Sequence, residues 1–83
     1  MIAVISSIAA ADTDTAGVKL AIRFHVLAPN GIVTFEALAS ITQNVTLSAL
    51  RNAVIAAIIA EAAASELVVA ASDIIGPQYI RYG

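Results

Sequence analysis

Between Val18 and Leu27 apolar and polar side chains alternate, with Val18, Leu20, Ile22, Phe24 and Val26 on one side and Lys19, Arg23 and His25 on the other. A period of two is that of a strand with one face in a core and one face in water. Pro29-Asn30-Gly31 then supplies a preset φ and two residues that tolerate positive φ, so Ala28 to Gly31 is expected to be a tight hairpin connection. Ile32 to Ala39 returns, with Val33, Phe35 and Ala37 apolar against Thr34 and Glu36. Antiparallel pairing places Glu36 near Lys19 or Arg23 across the wet face, a contact worth about a few tenths of a kcal/mol.

The period changes in Thr46 to Ser65, TLSALRNAVIAAIIAEAAAS. At about 3.6 residues per turn, Leu47, Leu50, Val54, Ile55, Ile58 and Ile59 share one half of a helix. The other half is almost all alanine, including Ala49, Ala53, Ala56, Ala57, Ala60, Ala63 and Ala64, where a soluble monomer carries Lys, Glu and Gln. Asn44 or Thr46 can cap the helix start. Arg51 and Glu61 flank its bulky face, either paired with a neighbouring subunit or lying along the rim with charged ends in water.

The flanking segments are less regular. Ile2 to Ala10 is β-branched and alanine-rich without clean alternation, which reads as a strand buried on both faces or paired at an interface. Asp12 to Gly17, DTDTAG, is a turn. Beyond the helix, Leu67 to Ala71 reads as a buried strand, Ser72-Asp73 as a turn and Ile74-Ile75 as a short apolar return. Gly76-Pro77 ends regular structure and leaves QYIRYG as an arm. The expected class is α+β: a small antiparallel-rich sheet of about four strands in the order β-β-β-α-β, one helix packed across it, and a C-terminal arm. Residues 1–76 form one domain in this reading, and residues 77–83 the arm.

Composition changes the picture more than any motif does. Charged residues make up 12% of the chain and hydrophobic ones 60%, whereas a usual globular domain is about 25% charged. That is too little charge to coat a free domain of 83 residues, which is already of a marginal size. Partners or lipid must cover part of it. Lipid is the weaker reading, because a spanning helix needs about 20 apolar residues and the uncharged run Asn52 to Ala60 is bracketed by Arg51 and Glu61; no membrane span is expected. The start, MIAVISSIAAADTDTA, has the short apolar run of a signal peptide but no basic residue before Lys19, and is read as mature sequence. With no Cys, neither disulfides nor thiolate metal sites are available. A net charge of −2 and scattered cations argue against nucleic acid.

Candidate chemistry is sparse. Asp12, Asp14 and Gly17 imitate the start of a calcium loop, but Ala16 and Arg23 occupy positions that need oxygen ligands, so a solvated turn is the better reading. His25 is the sole histidine and sits mid-strand beside Arg23, which suits a surface residue better than a general base. Glu36, Glu61, Glu66 and Asp73 form no pair on a common face, and Gly17, Gly31, Gly76 and Gly83 make no phosphate-binding loop. No catalytic residue, cofactor or metal is expected.

What remains is association. Small side chains at Ala49, Ala53, Ala56 and Ala60 let another backbone approach closely. Tyr79, Ile80, Arg81 and Tyr82 place interface-prone residue types on an arm with little chain left to bury them, or fold back as a last edge strand. A hairpin, then LRNAVIAAIIAEAAAS, LVVAASDII, Gly-Pro and an aromatic, basic tail ending in Gly resembles the short uncharacterised proteins encoded among tailed-phage structural genes. The resemblance covers the C-terminal half and implies a virion component such as a capsid decoration, neck or tail protein, located in the virion, or otherwise in the cytoplasm; it carries over no functional residue. The expected function is that of a non-enzymatic subunit of a homo-oligomer, contacting itself or other virion proteins. The alternatives are a small module holding an apolar ligand or peptide between helix and sheet, and an oligomeric enzyme with a shared site around His25.

Overall fold

A computed structural model describes residues 1–13, 17–42 and 44–76. Three strands, β1 (Ala3–Thr13), β2 (Val18–Ala28) and β3 (Gly31–Ile41), precede the helix α1 (Leu47–Ala64). A short 3-10 turn over Ala71–Asp73 then leads into β4 (Ile74–Ile75). The sheet order is β3-β2-β1-β4, with β1, β2 and β3 antiparallel and β4 parallel to β1. The fold is α+β, one mixed sheet with a single helix on one face.

The alternation in β2 becomes its burial pattern. Leu20, Ile22, Phe24 and Val26 are buried, Val18 is half-buried, and Lys19 and Arg23 are exposed. β3 pairs with β2 from Ala28↔Gly31 to Val18↔Ile41 without a shift. Gly31 takes a φ of 135°, a value open to glycine, where the chain re-enters the sheet. α1 lies mainly over β3, whose core-facing Ala37 and Ala39 let the helix come close, and sends Val54, Ile55, Ile58 and Ala62 into the core. Thr46 caps the helix, its Oγ1 accepting from the Ala49 N–H at 3.1 Å.

β1 departs from one of the two expectations for it. It is not buried on both faces: Ala3 and Ile5 are in the core, while Ser6, Ser7, Ala9 and Ala10 are exposed. The broken alternation comes from a bulge. Ile5 pairs with Phe24 and Ser7 with Arg23, so Ser6 is an extra residue, and its hydroxyl donates to the Arg23 carbonyl at 3.0 Å. The inserted residue resets the phase and lets Ile5 and Ile8, three apart, both face the helix side.

Leu67 to Ala71 is the second correction, since it forms no strand. The fourth strand is Ile74–Ile75, beside Ala3 and Val4. The helix ends in a Schellman arrangement, with Leu67 N–H donating to the Ala62 carbonyl and Glu66 N–H to the Ala63 carbonyl, both at 2.9 Å. This requires Glu66 to adopt a left-handed φ of 63°. The chain leaves the helix turned sharply, and Leu67 and Val69 fold onto the core as irregular chain. The Met1 amino group donates to the Val68 carbonyl at 3.0 Å and meets Asp73 Oδ2 at 3.3 Å, tying the start of β1 to this segment. Residues 14–16 of the expected turn and the whole arm lie outside the described residues.

Ile58 is fully buried in the one core cluster of the described residues, so Ile58→Ala should lower stability by about 2–5 kcal/mol, while Ile58→Val costs about 0.5–1.5 kcal/mol. Urea unfolding followed by circular dichroism measures both, and equal costs would contradict this packing. Glu66→Gly should raise stability by about 0.5–1 kcal/mol, because the left-handed penalty outweighs the extra freedom of unfolded glycine. Glu66→Ala should give no such gain in the same experiment.

Candidate interaction surface

Among the described residues the face of the sheet opposite α1 carries no second layer. Its side chains can be followed as rows across the strands, because the pairing register is known. One row runs Ser7, Arg23, Glu36 and the next Val4, His25, Thr34. Arg23 Nη2 and Glu36 Oε2 approach to 3.3 Å, both exposed, the pairing expected for Glu36. His25 Nδ1 and Thr34 Oγ1 share a hydrogen bond of 3.1 Å. On either side lie apolar rows: Ala9, Ala21 and Leu38, and beyond the histidine row Leu27 with Ile32.

Among the described residues the exposed large apolar side chains are concentrated here. Ile2, Leu27, Ile32, Leu38 and Ile75 project from the outer face, with Ile32 69% and Leu38 62% exposed. Val68, 78% exposed, is on the irregular segment after the helix. Isolated exposed aliphatics are normal, but rows of them on one sheet face make it a candidate contact surface. The sequence reading missed this face. Ile32 and Leu38 sit at the even positions of β3 shared with Thr34, Glu36 and Ser40, a signal that was present but hidden by the polar residues between them.

The helix offers the second surface. Ala49, Ala56 and Ala60 are exposed on the side turned away from the sheet. Ala53, expected with them as a contact position, is half-buried and packs against the core. Leu47, expected on the bulky face, is exposed in the first turn of the helix. Arg51 is half-buried, and its Nε is covered without a hydrogen-bond partner among the described residues; Glu61 is exposed. Tyr79, Ile80, Arg81 and Tyr82 lie outside the described residues.

An open, mostly apolar groove of about 200 Å³ lies at the C-terminal end of α1 between Ile59, Ala63 and the segment Glu66 to Val69. No buried polar or charged residue is found among the described core positions, and no cluster of His, Asp and Glu is arranged for a metal among the described residues. By length and composition alone α1 reaches the size of a membrane-crossing helix; here its Val54, Ile55, Ile58 and Ala62 are buried in the domain. No protein-family model, curated protein or solved structure matches the chain.

Proposed function

We propose that the chain is a non-enzymatic structural subunit of a homo-oligomeric assembly, of the kind that forms a virion component such as a capsid decoration, neck or tail protein. The observation that supports this most is the coincidence of scarce charge with several uncovered apolar surfaces: an outer sheet face with Ile2, Leu27, Ile32, Leu38 and Ile75 exposed, and an alanine side of α1. A freely dispersed domain of this size normally covers such area with Lys and Glu. Ala49, Ala56 and Ala60 serve as close-approach positions for a neighbouring backbone, and Tyr79, Ile80, Arg81 and Tyr82 as anchors in a neighbour. α1 acts as the second layer of the domain, not as a membrane span.

The alternative is a small binding module, monomeric or dimeric, with an apolar ligand or peptide held beside the helix. The groove at Ile59, Ala63 and Val68 favours it. A native mass near 8.5 kDa at working concentration would support that alternative against the assembly.

Substituting Glu for Ala49, Ala56 and Ala60 together should leave the circular dichroism spectrum unchanged and shift the light-scattering mass to a smaller species. Retention of the original mass would remove the helix contact from the proposal. Deleting residues 78–83 should likewise weaken assembly while the unfolding midpoint of the dissociated chain stays close to that of the full chain; an unaltered oligomer mass counts against the arm.

A further inference from the structure

We infer that β3 pairs antiparallel with β3 of a second copy about a two-fold axis at Phe35, joining two four-stranded sheets into one. This rests on the homo-oligomer reading and names the register of one of its contacts.

β3 is an edge of the sheet, eleven residues long and in unbroken register with β2. It contains no Pro, no Lys and no bulge, the devices by which edges are kept from pairing. The hairpin closes on the pair Ala28↔Gly31, and Leu27 N–H donates across the other side of β2 to the Ile2 carbonyl at 2.9 Å. By the alternation of an antiparallel ladder, the odd residues of β3 therefore bond to β2. The N–H and C=O groups of Ile32, Thr34, Glu36, Leu38 and Ser40 point away from it, along an edge that no other strand covers among the described residues.

The side-chain rows decide the register. With the axis at Phe35, Leu38 lies opposite Ile32 of the second copy, and Glu36 lies opposite its Thr34. Each row then continues in kind across the junction. The row Ser7, Arg23, Glu36 runs on into Thr34 and His25 of the second copy, and the row Ala21, Leu38 runs on into its Ile32 and Leu27. Rotation by two-fold symmetry repeats both matches. On the other face Phe35 meets its own copy, lengthening the stack in which Phe24 and Phe35 already lie 5.3 Å apart at 19°. An axis at Glu36 sets two carboxylates directly opposite one another. An axis at Thr34 or Ala37 places Glu36 against Ile32 or Leu38. An axis at Leu38 is compatible in charge but leaves Ile32 uncovered and shortens the overlap.

Engineered cysteines test this cleanly, because the chain has no Cys of its own. Positions 32 and 38 are about 20 Å apart along one strand, too far for a disulfide within a chain. Under air oxidation the full chain carrying both Ile32→Cys and Leu38→Cys should run as a covalent dimer on a non-reducing gel, while each single variant stays at one chain mass. Cross-linking by Leu38→Cys alone overturns the register in favour of an axis at Leu38. An oligomeric wild type whose double variant does not cross-link overturns β3 pairing and leaves the assembly reading standing. A wild type that scatters light as single chains at all concentrations overturns both. As a second arm, Ile32→Lys with Leu38→Lys should keep the circular dichroism spectrum and lower the oligomer mass at least two-fold; an unchanged mass overturns the pairing.

Discussion

The packing of one helix on one face of one sheet is the contact on which everything else in this domain depends. Ile22, Phe24 and Val26 from the second strand of the sheet are fully buried together with Val54 and Ile58 of the helix. No second core exists among the described residues to compensate for a loss there. A chain of this length has little surplus stability, so the close fit at Ala37 and Ala39, where the helix crosses the edge strand, matters as much as the large side chains. The same economy leaves the opposite face of the sheet without a second layer among the described residues.

How much of this was legible in the sequence follows from how regular each signal is. The second strand, the hairpin and the helix were readable because their periods are clean and their ends carry turn or capping chemistry, as at Pro29-Asn30-Gly31 and Thr46. The first strand was placed, and of its two readings burial on both faces is the one that fails. Its Ile5 and Ile8 spacing breaks a period of two, and only the extra residue Ser6 in the ladder explains it. Leu67 to Ala71 looks like a strand by composition, yet a left-handed Glu66, which no propensity would nominate, turns the chain before any ladder can form. The alanine side of the helix was legible as a surface, whereas the outer face of the sheet was not, since Ile32 and Leu38 are recognised as neighbours of Leu27 and Ala21 only once the register is known.

Scarcity of charge gains meaning from where the charges lie. Arg23, Glu36, His25 and Thr34 form two adjacent rows in the middle of the outer face, and apolar rows flank them. The surface is therefore patterned, not merely greasy. A stripe of polar groups between apolar stripes fixes the position of anything that packs along it, because sliding by one pair puts a carboxylate against an aliphatic side chain. In the proposed assembly, low charge would supply the tendency to associate, and the few charges present would restrict how.

The uncovered surfaces also point in different directions. The free backbone groups of the third strand lie in the plane of the sheet, while Ala49, Ala56 and Ala60 face outward along its normal, and the apolar rows of the bare face point the opposite way. A two-fold contact at the sheet edge is closed: the same strand is used on both copies, and nothing is left there for a third. Pairing at the β3 edge by itself thus stops at two chains. Anything larger, as the proposed role in a virion demands, needs a further contact, at the opposite edge of the sheet, where β4 pairs only with Ala3 and Val4 of β1, or through the faces, where the helix of one pair can approach the helix or sheet of the next. The alanine side suits that second contact because it has almost no side-chain entropy to lose and lets backbones come near.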